Sequence, residues 1–416
     1  MRVLIAVTGS PGEVLPHTGL GARLVADGHE VTVATHERFA DVVAQAGLGF
    51  RPVPGDPRET GRSAEGRHWL RAGSGPLGMV HVIRLFTEKL RRINEGVLDA
   101  AREGADLMLV SPEAACAYAI AESLGIASAG VYLQPLAPTG EFIHQSMSGL
   151  GSLGRWGNRM SAVAVNRAWG LSFAGVTRDL SRLLGEPVPR VDAMFRRQDR
   201  QRWPVLHPTS PQLLRRPADW RPGLEVTGYL WPWRDPGWTP PAELTDFLAA
   251  GSPPVYVGFG SMELDEPEKV SALVMAALRQ AGLRGIVSAG WSGLTASGDD
   301  VLTVGDVPHD WLFPRMAAVV CHGGHGTTGA VLRAGVPAVP VPIFADQPFW
   351  SGLLTRQGVS PGPVPFRKLT AERLAGALRA AVTDPGYRRR AEVLAAAVGA
   401  EDGAGAALDV VKRVAG

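Results

Sequence analysis

The sequence predicts an α/β protein of two domains, each a parallel sheet with helices on both faces. Short β-prone apolar runs alternate with helix-like stretches in both halves of the chain, which is the pattern of wound parallel sheets. A length of 416 residues allows two domains, each with its own core. Between the two alternating halves, residues 215–244 hold six prolines and four tryptophans, a composition that marks an extended linker.

In chain order, residues 2–8 read as a strand, 17–27 as a helix ended near Gly28, and 30–35 as a second strand. A helix over 37–46 closes at Gly47, and 50–53 is extended. Farther on come a strand at 107–110, a helix at 114–124 ended by Gly125, and a strand at 127–132. Residues 60–83 and 134–159 lack periodicity, and long irregular stretches in an α/β domain are usually functional loops. The second alternation opens at 254–261 and continues through 282–288 and 301–304. It then forms a β-α-β unit: an apolar run at 317–321, a helix over 326–334 stopped by Gly335 and Pro337, and a second run at 338–343. An Ala-rich helical tail covers 391–414, with a break around 400–405. The expected domains are 1–220, a Pro/Trp-rich linker 221–243, 244–390, and a tail 391–416.

Composition narrows the class. With 45% hydrophobic and 20% charged residues and a net charge of +2, the chain reads as a globular enzyme, not a nucleic-acid binder. Its two cysteines, Cys116 and Cys321, sit in apolar runs and read as reduced, buried thiols with no zinc spacing. No signal-peptide pattern follows Met1, and no run of eighteen apolar residues could span a membrane, so the expected location is cytoplasmic.

The richest segment is 319–349, Val-Val-Cys-His-Gly-Gly-His-Gly-Thr-Thr-Gly and onward to Ala-Asp-Gln-Pro-Phe. A turn between a strand and a helix leaves backbone N–H groups unpaired at the helix start, where anions bind. Gly323, Gly324 and Gly326 let backbone approach a phosphate, Thr327 and Thr328 add hydroxyls, and His322 adds an N–H donor. Asp346 and Gln347 follow the next strand at the same carboxyl edge and can hydrogen-bond a row of sugar hydroxyls. A phosphate cradle followed by a hydroxyl clamp describes a nucleotide-sugar site. At the first turn, Gly9 to His17, Pro11 and the spacing do not fit a dinucleotide fingerprint. That turn instead places Glu13 and His17 at the strand edge, and either could act as a general base. Ser261, after the 254–258 run, can meet a phosphate, and Trp291 follows a later strand at the same edge.

These motifs resemble the inverting GT-B glycosyltransferases, most closely the bacterial members similar to sterol glucosyltransferases and to those that decorate glycopeptide and macrolide antibiotics. The resemblance rests on Cys321-His322-Gly323-Gly324-His325-Gly326-Thr327-Thr328, on Ala345-Asp346-Gln347-Pro348-Phe349-Trp350, on residues 9–16, 27–36 and 133–139, and on Gly258 to Met262 and Val307 to Pro314. It implies a GT-B fold of two facing Rossmann-like domains with an inter-domain cleft, the last helix crossing back onto the first domain. It implies that His322 and the amides of Gly324, Gly326, Thr327 and Thr328 hold a diphosphate opposite Ser261. Val307 would face the base through its backbone, and Asp346 with Gln347 would hold the hexose. It puts Glu13 at the position of the acceptor base, with Glu113 a loose candidate for its orienting carboxylate. His325 stands where relatives carry a small residue, which suggests a contact with phosphate or acceptor, and Trp291 substitutes for the base-stacking Trp of plant relatives.

The expected reaction is transfer of a hexose from a UDP- or dTDP-sugar to a hydroxyl of a lipophilic natural product, without a metal, since no Asp-x-Asp pair occurs. No other cofactor is expected. Met79, Phe86, Gln134, Phe142 and Met147 are the acceptor-pocket candidates, although the apolar ones equally suit a helix core. Two alternatives stand beside this reading: a nucleotide-sugar 2-epimerase of the same fold, and a non-catalytic sugar-nucleotide-binding partner.

Overall fold

The computed structural model describes residues 1–62, 76–114 and 116–415, without the side chains of 60–62, 76–86 and 415. The chain forms two compact units, one of Met1–Pro211, Arg215–Asp235 and Asp402–Gly416, the other of Gln212–Leu214 and Pro236–Glu401.

The first unit holds seven parallel strands: β1 Arg2–Ala6, β2 Glu30–Thr35, β3 Gly49–Pro52, β4 Leu107–Val110, β5 Ala127–Val131, β6 Val205–His207 and β7 Leu224–Val226. They lie in the order β3-β2-β1-β4-β5-β6-β7. Alternate residues of each strand feed opposite cores, as a sheet covered on both faces requires. Val3, Ile5, Val33, Leu107 and Leu109 pack with Leu20 and Leu24 of the first helix and with Leu408 and Val411 of the last. Leu4, Ala6, Met108 and Val110 pack on the other face with Ile93, Val97 and Leu98 from the helix Pro76–Arg102.

Several elements differ from expectation. The first helix is Pro11–Ala26, starting six residues early, because Pro11 suits the first helical position and Ser10 with Glu13 forms a capping box. Pro16 stands inside it, so the early start survives a missing N–H. Strand β7 lies in the stretch read as linker. It and β6 have three residues each, too few to show a period. The helix Gly154–Ser172 begins inside the stretch read as loop.

The second unit holds β8 Val255–Gly258, β9 Gly285–Ser288, β10 Val301–Val304, β11 Ala318–Cys321 and β12 Ala338–Pro340, all parallel in the order β10-β9-β8-β11-β12. The helix Pro385–Gly399 stays with this unit, burying Ala391, Leu394 and Val398 and donating from Arg388 to the carbonyls of Met316 and Ala317 at 2.9 and 2.8 Å. The tail that belongs to the first unit therefore starts at Asp402, not at residue 391. No helix among the described residues is long and apolar enough to cross a membrane.

Candidate functional site

In the second sheet the strand order reverses direction between β8 and β11, and ligands of wound sheets bind at the carboxyl ends beside that switch. Read along this edge in strand order, the chain presents Val307 after β10, Trp291 after β9, Ser261 after β8, the turn 322–328 after β11, and Asp346 with Gln347 beyond β12. Residues that lie between positions 261 and 347 of the sequence thus fall at one edge of one sheet.

His322 sits at the switch point with glycine on two sides. A Cβ added to Gly260 would lie 2.8 Å from its Cε1, and one added to Gly324 would lie 2.4 Å from its Nε2. Gly260 has φ +58°, so its turn also needs glycine for conformation. Burial, with a smaller push from His309, lowers the His322 pKa to about 4, so the ring is neutral and can donate from one nitrogen. The helix His325–Ala334 is capped by Gly324 in extended conformation. Its start presents the N–H groups of Gly326 and Thr327 ahead of the first intrahelical bond.

Two members of the expected phosphate set are corrected here. The Thr328 N–H already donates to the Gly324 carbonyl at 2.9 Å, so it is not one of the unpaired donors at the helix start, while its hydroxyl is fully buried without a hydrogen-bond partner. The His325 imidazole is buried against Trp350, ring centroids 5.1 Å apart, so the ring packs instead of reaching a phosphate.

The hydroxyl clamp also divides. Asp346 is half-buried, accepts from Trp350 Nε1 at 2.7 Å through Oδ2, and burial raises its pKa. Gln347 departs from expectation: its Oε1 accepts from the N–H groups of Ile343 and Phe344 at 2.7 and 3.1 Å, and its Nε2 points at Met262 Sδ, 3.5 Å away. The amide closes its own turn. Ala345 precedes them at φ +56°, a left-handed conformation unfavourable for a residue with a Cβ. Trp291 is half-buried, and its backbone N–H donates to the Gly260 carbonyl at 3.4 Å.

The first sheet switches direction between β1 and β4, and Glu13 stands there. Its Oε2 accepts from the Ser10 N–H at 2.9 Å and from the Ser10 hydroxyl. A Cβ on Gly9 would lie 3.3 Å from Glu13 Oε2 and 3.6 Å from Glu113 Cγ, so the two carboxylates flank one glycine. His17 is buried, with Nδ1 on the Glu13 carbonyl at 2.8 Å, Nε2 enclosed without a hydrogen-bond partner, and a pKa lowered by burial to about 4.

Sequence reasoning passed over His36. This buried residue follows β2, donates from Nδ1 to the Val53 carbonyl at 3.1 Å and accepts the Gly9 N–H on Nε2 at 3.2 Å. It ties the turn that carries Glu13 to the end of β3. Its position one residue after a strand, at the same edge, was the signal available.

A family model for the glycosyltransferase family 28 N-terminal domain matches residues 3–135, and one for the C-terminal domain of erythromycin biosynthesis protein CIII-like proteins matches 285–413. O-mycaminosyltylonolide 6-deoxyallosyltransferase of Streptomyces fradiae is 37% identical over 410 residues, covering 97% of this chain and 95% of its own length. The chain belongs to this glycosyltransferase family.

A plant member, sterol 3-beta-glucosyltransferase UGT80A2 of Arabidopsis thaliana, is 33% identical over 98% of this chain, which spans 64% of that protein's length. The glycosyltransferase SsfS6 of Streptomyces sp. SF2575, solved with thymidine diphosphate, shares the fold: TM-score 0.65 and 22% identity over 99% of both chains. The two sheets are the two Rossmann-like domains of a GT-B glycosyltransferase. The epimerase alternative finds no support among these relatives.

Within that family, the acceptor candidates scatter. Gln134 follows β5 at the carboxyl edge of the first sheet and is half-buried. Phe142 packs against the core that contains Leu136 and Trp220, which gives it a structural role. Met147 is half-buried on the turn Gln145–Leu150. The side chains of Met79 and Phe86 lie outside the described ones. Among the described residues, no group of three or more His, Cys, Asp or Glu side chains could hold a metal ion.

Proposed function

We propose that this glycosyltransferase moves a hexose from a UDP- or dTDP-linked donor to a hydroxyl of a lipophilic small molecule, with inversion and without a metal. The observation that carries the reading is the line of residues along one carboxyl edge, from Val307 through Trp291, Ser261 and His322 to Asp346. Their order along the edge suits base, diphosphate and sugar in turn. The relatives' names, for transfer to O-mycaminosyltylonolide and to sterols, support a lipophilic acceptor, and the thymidine diphosphate bound to SsfS6 supports a nucleoside diphosphate donor.

In the proposed reaction, the bond from the anomeric carbon to the diphosphate oxygen breaks as the acceptor oxygen bonds to the opposite face. The N–H groups of Gly326 and Thr327 and the His322 ring meet the charge that builds on the departing diphosphate. One such donor is worth roughly 2.7–4 kcal/mol. Asp346, held by Trp350 through one oxygen, takes a hexose hydroxyl on its carboxylate. Glu13 removes the acceptor proton, a step worth about 10²–10⁴-fold. Burial of His17 with Nδ1 committed to a backbone carbonyl favours Glu13 over it.

Thermal unfolding of the full chain with UDP, dTDP and their glucose esters tests the donor site. A ligand at a hundred times its Kd adds about 2.7 kcal/mol of apparent stability. No shift with any of the four, or an undiminished shift in His322→Ala, would overturn the assignment. For the base, Glu13→Gln should keep donor binding and lose at least two orders of magnitude of turnover. Intact turnover in that variant would return the base role to His17 or leave the protein a binding partner only.

A further inference from the structure

On the first unit, the helix Gly154–Ser172 carries large apolar side chains outward as well as inward, where Trp169 packs against the core. Its buried residues are Asn158, Ser161, Ala162, Asn166 and Gly170, while Trp156, Met160, Val163 and Leu171 are exposed. Trp156 is 78% and Leu171 58% exposed. A helix that serves only its own fold keeps its large apolar side chains inward, and an outward apolar face is the informative exception. The inward polarity has a local cause. Asn158 donates from Nδ2 to the Gly140 carbonyl at 3.1 Å and accepts the Leu153 N–H at 2.9 Å, and Ser161 Oγ accepts the His144 N–H at 2.8 Å. These bonds anchor the preceding loop, but they do not account for four large apolar side chains facing water.

At about 100° per residue, those four side chains fall within an arc of roughly 80°, with the exposed Arg167 inside the same arc. Leu153, 51% exposed, extends the arc, since a Cβ on Gly157 would lie 2.7 Å from its own. The ionisable residues of the helix are Arg155, Arg159 and Arg167, all exposed, with no acid between 154 and 172. Arg159 also reaches Asp219 at 3.3 Å. A largely apolar arc with an exposed Trp, on a helix whose own charged residues are all arginines, is the composition of a helix that lies in a lipid headgroup layer. A symmetric pair of copies would set arginines against arginines, whereas anionic headgroups neutralise them.

We propose that Gly154–Ser172 is a docking face for an anionic membrane surface, with Trp156, Met160 and Leu171 inserted and Arg155 and Arg167 on headgroup phosphates. The proposal stands apart from the sugar-transfer reading, because it uses none of the residues of that site.

The test is flotation of the full chain with vesicles of phosphatidylcholine alone or mixed with phosphatidylglycerol. The expected result is binding to the mixed vesicles only, weakened by salt. Arg155→Gln and Arg167→Gln should each lower partitioning about five-fold, the equivalent of about 1 kcal/mol per arginine at such a surface. Trp156→Ser should lower it about ten-fold, consistent with loss of part of an aromatic side chain's burial. Melting temperatures equal to the parent's show that the variants are folded, and the arginine variants carry the test should the Trp variant not be. Absence of flotation with both vesicle types, or variants that float like the parent, overturns the proposal. So does a solution dimer that Trp156→Ser dissociates, which would assign the face to a second copy.

Discussion

Gly324→Ala isolates the contact between the turn and His322. Gly324 has φ −68°, so alanine fits the backbone, and the effect is steric. The new Cβ would stand 2.4 Å from His322 Nε2, and ordinary contact begins at 3.4 Å, so the ring must retreat by about 1 Å. Its room is limited, because the backbone at Gly260 flanks another side of the ring, near enough that even a Cβ there would lie 2.8 Å from Cε1. A displacement of that size at a positioning group can cost about 10²-fold in rate, equivalent to roughly 2.7 kcal/mol of transition-state stabilisation. Loss of glycine at the N-cap adds about 0.5–1 kcal/mol of helix destabilisation, too little to unfold the unit. The assay is kcat/KM for the transfer reaction with calorimetric titration of UDP and dTDP beside it. We expect kcat/KM to fall about 10²-fold and nucleotide affinity to fall with it. A variant that folds, binds nucleotide within a factor of two of the parent and turns over normally would refute the placement of His322 on the diphosphate.

Gly376→Ala is the matched control: an added Cβ meets nothing within 4 Å in the middle of the helix Ala371–Thr383, so it should stabilise by about 0.5–1 kcal/mol and leave activity unchanged, as read by denaturant midpoint and turnover. Ala345→Gly relieves a left-handed alanine that costs about 1–2 kcal/mol, offset by glycine's entropy, so a net gain of roughly 0.5–1 kcal/mol should show in the same measurement. Acid should destabilise the protein through His17, His144, His207, His309 and His322, whose pKa values burial lowers from 6.5 to about 4. Their contribution is complete above pH 6.5 and drains away as pH falls toward 4, because the unfolded chain takes up protons that the folded one refuses. Each histidine accounts for about 2 kcal/mol between pH 7 and pH 5, so denaturant midpoints should drop steeply over that interval, and a flat profile would contradict the buried, neutral assignment.

The strands and the phosphate turn were legible because their signals are local. Apolar runs of four to six residues bounded by glycine and proline announce themselves, and so does a glycine cluster between a strand and a helix. What stayed hidden was the use made of each polar group. Gln347 and Thr328 read as ligand contacts since their types suit that chemistry, yet one closes its own turn and the other is spent in the first helical bond. Both outcomes depend on where the helix begins, and helix starts shift by a residue with the cap. The first helix makes the same point: Pro11 reads as a loop residue until Ser10 is seen to cap it. The boundary at 391 misled because Ala-rich sequence is helical on both sides of the break. Only the stripe of Ala391, Leu394 and Val398 packed in the second unit separates them.

The two switch points share a device that no local pattern reveals. In each sheet a glycine with positive φ follows the strand at the reversal, Gly9 after β1 and Gly260 after β8, and each abuts a histidine from a neighbouring strand. Gly9 gives His36 its N–H, while Gly260 gives His322 the space beside its ring. Both histidines have pKa values lowered by burial, so each enters as a neutral ring with one donor and one acceptor nitrogen. At His36 both nitrogens are consumed by backbone, which makes it a brace for the turn carrying Glu13. At His322, Nδ1 is buried without a hydrogen-bond partner, an arrangement that is costly unless a ligand or a rearrangement completes it. Two satisfied nitrogens make His36 a brace, whereas an unsatisfied one does not by itself mark a binding group, since His17, His144 and His207 also bury an Nε2 without a partner. What sets His322 apart is its place at the switch point.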